Sequence, residues 1–378
     1  MDFTYTEEQQ MLRDTLARFL ADRYDFETRR KLIADEPGWS PQVWKAFAEE
    51  LGILGAGFSE DAGGLGGGAV EHMIVMEELG KALVVEPYLG TAVIGGGFLK
   101  HAGGDVADEL IPGIIGGEVI GAFAYAEPKG RYDLADLQTT ARRSGDGWTL
   151  DGRKAVVVGA PWATHLFVTA RTGGGRRDRQ GVGVFLVEAG AAGVATRDYP
   201  TVDGRRASEI AFENTPARLI GDAETGLDLV ERVVDEATVA VCSEAVGCMR
   251  KLHENTLDYA RQRKQFGRPI AEFQVLQHRM VDIFMEVEQS VSMTLMAALK
   301  LDEPAEARKA AVSAAKVKVA KGARFAGQAA VQIHGGMGIT EELSTGHHFK
   351  RTTVIEGLFG DADHHLRRFE RLTLGIAA

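Results

Sequence analysis

Arg263, Lys264, Gln265, Phe266, Gly267, Arg268 and Pro269 interrupt a long helical run, and Phe273 and Gln274 follow where a second helix restarts. Cations, an amide and an aromatic ring at such a joint suit a flat, phosphate-bearing ligand. Arginine forks onto phosphate oxygens, phenylalanine offers a face to a purine, and glutamine pairs with polar edges. A solvated helix corner stopped by glycine and proline accounts for the same residue types. Glu244 is the other candidate, the single charged residue in the apolar stretch 237–249. Burial disfavours an ionised carboxylate, which either tunes a base or demands a partner, so a satisfied buried hydrogen bond stays open beside a catalytic role.

Three further clusters carry the right residue types with less support from spacing. Seven glycines fall within residues 55–68, yet no expected strand precedes them and the G-x-G-x-x-G spacing is not met. A tight loop is the simpler reading. Arg176, Arg177 and Arg179 sit in a glycine-rich turn, where either a ligand phosphate or a solvated hairpin tip explains them. Asp361, Asp363, His364 and His365 are metal-ligand types, but adjacent helical histidines point about 100° apart, so no metal site is expected.

The elements that position these residues divide the 378-residue chain into three. Apolar residues recur at helical spacing through 6–34, with Thr6 as N-cap and Glu7 and Glu8 in the first turn, and further helices are expected at 41–52, 69–84, 87–101 and 105–116. From Val119 short β-type runs at close spacing suggest a small barrel or sandwich. From about Gly226 long amphipathic runs at 226–264, 271–300, 304–333 and 362–375 describe an antiparallel four-helix bundle. The expected architecture is α+β and multidomain: helical domain 1–117, β-domain 118–222, bundle 223–378. The stripe Leu276, Met280, Ile283, Phe284, Val287, Val291 is wide enough for core plus a subunit contact.

Composition narrows the function. Lys and Arg number 43 against 54 Asp and Glu, a formal charge of −11, which argues against nucleic acid but allows a local basic pocket. Cys242 and Cys248, about 240° apart on one helix, cannot bridge, in keeping with a reducing compartment. The opening Met1-Asp2-Phe3-Thr4 lacks an export signal and no run is long enough to span a bilayer, so a cytoplasmic protein without membrane insertion is expected.

The runs ARQRKQFGRPIAEFQ at 260–274, QIHGGMGITEE at 332–342 and SEIAFENTPARLIG at 208–221, with the opening 3–23 and the segment 124–141, resemble the acyl-CoA dehydrogenase family. The resemblance implies the three-part fold and FAD-dependent α,β-desaturation of an acyl-CoA thioester. It also implies a homo- or hetero-oligomer with a related subunit and an electron-transfer flavoprotein as acceptor. It assigns Arg263, Phe266, Gln274, Gln332, Gly335 and Gly336 to the pyrophosphate and adenine side of FAD, reaching across to a neighbouring subunit. The ring side departs from the family: Ala126-Glu127-Pro128 replaces Thr-Glu-Pro, and Val156-Val157-Val158 replaces Trp-Ile-Thr. The usual catalytic Glu falls on Phe359, with Asp361 expected to cap the last helix, and the alternative base position falls on Ala237. Glu244, two turns beyond Ala237, is the candidate base; Glu356, a base on another subunit, or none are the alternatives. The tail LFGDADHHLRRF looks like the smaller subunit of heteromeric bacterial dehydrogenases acting on dicarboxylyl or steroid side-chain CoA thioesters. A non-catalytic subunit completing a partner's flavin site, and a flavin monooxygenase on the same fold, are the rival functions.

Overall fold

A computed structural model describes residues 4–375. Met1, Asp2 and Phe3, where the opening was read for an export signal, lie outside the described residues, as do 376–378. The order is a helical N-terminal region, a middle β-domain and a C-terminal helical bundle, as expected. By contact the chain forms two compact units. One gathers the N-terminal helices up to Leu32, Ala69–Val84 and the chain from Thr238; the other holds Ile33–Gly68 and Val85–Ala237.

The expected first helix is two, α1 (Glu7–Arg23) and α2 (Phe26–Ala34). Thr6 Oγ1 accepts the Gln9 N–H at 3.2 Å while Gln9 Oε1 accepts the Thr6 N–H at 3.1 Å, a reciprocal cap that starts α1. Asp25 accepts the Thr28 N–H at 2.7 Å, and this second cap is why the run divides.

Helices α3 (Pro41–Glu49), α4 (Ala69–Ala82), α5 (Gly96–Ala102) and α6 (Asp105–Gly116) follow, with a π-helical turn at Leu89–Gly95 where a regular helix was expected. The glycine run folds back on itself. Leu65 N donates to Gly55 O at 3.0 Å and Gly66 N to Phe58 O at 2.9 Å, so its amides serve the loop and form no phosphate cradle.

The β-domain is one sheet of seven strands: β1 (Gly121–Ala124), β2 (Thr140–Ser144), β3 (Gly147–Val158), β4 (His165–Arg171), β5 (Val182–Glu188), β6 (Val194–Pro200) and β7 (Arg206–Ile220). The runs expected at 147–151 and 154–158 join into β3, which pairs antiparallel with β7 and slips register between Lys154 and Val157. Leu150, Val157, Phe185, Val187 and Ile210 fill its core.

In the other unit, α8 (Gln274–Leu299), α10 (Ser344–Gly357) and α11 (Ala362–Leu374) pack on α9 (Ala305–His334). Of the stripe on α8, Met280, Ile283 and Val287 are buried, whereas Phe284 is 49% exposed. Helix α7 (Gly226–Gln262) meets α4 backbone to backbone: a Cβ on Gly247 would lie 2.0 Å from Glu77 O, and one on Gly80 2.2 Å from Glu244 O. Cys242 and Cys248 are buried free thiols. Among the described residues no helix is long and apolar enough to cross a membrane.

Candidate functional site

Helix α7 ends at Gln262 and the chain turns through a two-residue hairpin, β8 (Lys264–Gln265) pairing with β9 (Arg268–Pro269). Its central residues, Phe266 (φ +53°) and Gly267 (φ +79°), are both left-handed, the geometry a tight hairpin demands. Glycine adopts it freely; phenylalanine does not, yet its ring is held out 92% exposed. Behind it the Phe273 ring lies edge-on at 6.1 Å, with the Arg268 guanidinium 4.3 Å above Phe273.

The far wall is the C-terminus of α9. His334 stacks on Tyr259 at 4.4 Å, and the Tyr259 hydroxyl donates to His334 O at 3.3 Å. Burial lowers the His334 pKa, and its Nδ1 lies 2.8 Å from Ala330 O. Gly335 (φ +61°) then turns the chain, and around Gly335 and Gly336 a Cβ would meet nothing within 4 Å. Hairpin and helix end enclose an open groove of about 800 Å³.

Of the residues expected to meet a dinucleotide, Arg263, Phe266, Gln332, Gly335 and Gly336 line this groove together. Gln274 does not; its neighbours Phe273 and Val275 do. Successive residues at a helix start project about 100° apart, so Gln274 flanks the groove between two residues that line it. Arg279, Tyr259 and His334 line the groove and were not singled out from sequence. The side chains of Arg263 and Arg279 form no hydrogen bond or ion pair among the described residues, and no carboxylate lines the groove. Unpaired guanidiniums beside exposed rings can hold a phosphate-bearing planar ligand.

The catalytic expectation for Glu244 does not fit its geometry. Arg351 Nε donates to Oε1 at 2.7 Å and Nη2 to Oε2 at 2.6 Å, and the Glu244 side chain is 1% exposed. A carboxylate clamped by a guanidinium on both oxygens and closed to solvent is a poor proton acceptor, and the satisfied buried group is the reading this geometry favours. Glu356 is paired as well, with Arg324. Phe359 stands left-handed at φ +56° and buried, its carbonyl 3.1 Å from His365 Nε2. Asp361 caps α11 as expected, accepting the His364 N–H at 2.8 Å. His365 is a buried neutral ring, its pKa pushed down to about 2 by burial, and no metal-binding group of His, Cys, Asp or Glu occurs among the described residues.

In the β-domain the two stretches that depart from the family pattern lie side by side. Ala155 N donates to Ala126 O at 2.8 Å, and the register slip leaves Val156 at φ +52° and 54% exposed. Glu127 is sealed into the sheet, accepting from Lys154 Nζ at 2.7 Å and from the Gln138 and Thr139 amides. Burial lowers Lys154 to a pKa of about 8. The nearby arginine cluster is spoken for: Arg176 and Arg177 both bind Asp136, and Arg179 binds Glu231 and Asp228.

The N-terminal, middle and C-terminal domains of acyl-CoA dehydrogenases match residues 6–118, 122–215 and 224–372. The chain belongs to the acyl-CoA dehydrogenase family. The probable acyl-CoA dehydrogenase YngJ of Bacillus subtilis is 29% identical over 97% of this chain and 98% of its own. The ChsE4–ChsE5 complex of Mycobacterium tuberculosis contains a chain 26% identical, with all of both chains covered and a TM-score of 0.89. PigA, solved with FAD, is 26% identical over 99% of each chain with a TM-score of 0.90. FAD is the cofactor of acyl-CoA dehydrogenases, and the three-domain fold is theirs. Within that fold, Arg263 and Arg279, whose side chains form no hydrogen bond or ion pair among the described residues, line the groove at the joint between α7 and α8.

Proposed function

We propose that this chain is an FAD-dependent acyl-CoA dehydrogenase introducing an α,β double bond into an acyl-CoA thioester, working as one subunit of a homo- or hetero-oligomer. The observation that carries the reading is the groove at the α7–α8 joint, with its unpaired Arg263 and fully presented Phe266, in a chain whose three domains match the family throughout. Arg263 would bind the diphosphate, Phe266 would cover the adenine, and Gln332 with the unencumbered backbone of Gly335 and Gly336 would line the remainder. Bound FAD supplies the acceptor for the hydride that leaves the β-carbon. Gln274, exposed between the groove-lining Phe273 and Val275, would stand at the edge of this site.

Removal of the α-proton needs a carboxylate free to accept it. Glu244 and Glu356 are each held by an arginine, which supports a second reading: a partner subunit supplies the base while this chain completes the partner's cofactor site. The exposed apolar side chains of α8, Val281, Phe284 and Met285, would face that subunit. A cytoplasmic setting and an electron-transfer flavoprotein as acceptor go with this proposal.

The test is the absorption spectrum of the full-length chain, purified alone and co-expressed with a related acyl-CoA dehydrogenase subunit. A yellow protein that bleaches anaerobically on addition of an acyl-CoA is expected. Colour only in the co-expressed assembly favours the second reading; no flavin in either preparation overturns both.

A further inference from the structure

Arg279 lies five residues into α8, outside every motif that suggested the groove, and lines it together with an equally unpartnered Arg263. Other arginines of the hairpin and of the helices that end at the groove are engaged: Arg268 covers Phe273, Arg261 pairs with Asp258, Arg250 with Glu77, and Arg324 with Glu356. In a chain of formal charge −11, two guanidiniums in a groove lined by no carboxylate concentrate positive potential there. Helix α8 adds to it. It begins without a side-chain cap, and Val275 in its first turn lines the same groove.

A single phosphate needs one such fork. Two phosphates in series can use two. We propose that Arg263 and Arg279 each take one phosphate of a nucleoside diphosphate, so that the groove reads a diphosphate and not a single phosphate. The inference rests on the reading that this groove takes the dinucleotide end of FAD. Coenzyme A carries the same adenosine diphosphate unit with an added 3′-phosphate, so the two sources share the recognised chemistry and must be separated by experiment.

The experiment uses the full-length chain in the assembly it forms, freed of flavin, as wild type, Arg279→Gln and Arg279→Lys. Dissociation constants are measured for FAD, ADP, AMP and CoA, with unfolding midpoints as a control, since Arg279 is exposed and its loss should not disturb folding. Arg279→Gln should weaken FAD and ADP about tenfold, the loss expected for one charge-assisted phosphate contact, and AMP by less than about twofold. Arg279→Lys should recover part of the loss, because the charge remains while the fork is gone. A loss confined to ADP and CoA supports the diphosphate contact and overturns FAD as its source. Wild-type affinity for FAD and ADP in Arg279→Gln, or equal weakening of AMP and ADP, overturns the inference and leaves the proposed function standing. A wild-type assembly that binds neither FAD nor ADP overturns both.

Discussion

Arg351 and Glu244 form a bidentate ion pair across 107 residues of sequence, with side chains 3% and 1% exposed. Breaking one half of such a pair leaves the other charge buried without compensation, which typically costs about 3–5 kcal/mol. Glu244→Gln should therefore lower the denaturation midpoint sharply, and a Glu244→Gln/Arg351→Met double substitution should recover much of the loss. Turnover per bound flavin in the surviving folded fraction should stay within about twofold of wild type, whereas loss of a general base costs a hundredfold or more. A large loss of turnover at unchanged stability would restore Glu244 as proton acceptor.

Phe266 separates binding from folding in the opposite way. Its ring is 92% exposed, so Phe266→Ala should change stability by no more than about 0.5 kcal/mol. Stacking of an aromatic side chain on a base is worth about 1–3 kcal/mol, so affinity for FAD should fall about tenfold or more. Phe266→Gly would also remove the left-handed strain, making the chain slightly more stable while binding still drops. Equilibrium titration with FAD beside thermal unfolding reads both quantities.

What sequence could and could not convey follows from the range of each signal. The Thr6 cap, the Asp361 cap and the apolar period of α8 are local, and all are present as read. That Glu244 needs a partner is also local knowledge; that the partner is Arg351 is not, because α10 was not recognised as a helix. Its Gly346, Thr352 and Thr353 are weak helix formers, and the helix exists because Thr345, His348, Arg351 and Ile355 bury their side chains. The same limit applies at the groove, whose lining includes Arg279, which no motif marks, and not Gln274, which one does. Residue type is local, whereas the direction in which a side chain leaves a helix start, and so what it lines, is set by the packing of that helix.

The crossing of α4 and α7 gives a prediction about packing alone. Adding a methyl at Gly247 brings it to 2.0 Å from Glu77 O, a backbone atom that cannot step aside without moving α4. Gly247→Ala should destabilise the chain by about 1–3 kcal/mol despite the better helix propensity of alanine. Gly267→Ala, in open space at the hairpin, should cost no more than the left-handed strain, on the order of 1 kcal/mol. Chemical denaturation of the two variants against wild type tests the contrast, and equal losses would mean that the helices have room to separate.

His348 sets a pH window for stability. It is buried on α10, with Nδ1 2.9 Å from Ser344 O and Nε2 3.1 Å from Lys81 O, and burial pushes its pKa from the usual 6.5 down to about 4. The unfolded chain thus binds a proton at this position between pH 6.5 and 4 that the folded chain refuses. Because the unfolded state holds more protons there, stability rises with pH across that interval. The contribution is fully present above pH 6.5 and is lost as the pH falls through 4, a change on the order of 3 kcal/mol. His348→Gln removes the titrating group, so the stability difference between wild type and variant should shift against wild type as urea titrations move from pH 7 to pH 4.5. A difference that stays constant over that range would show that His348 takes up its proton without unfolding, a second ring N–H then donating to the carbonyl that the neutral ring leaves unsatisfied.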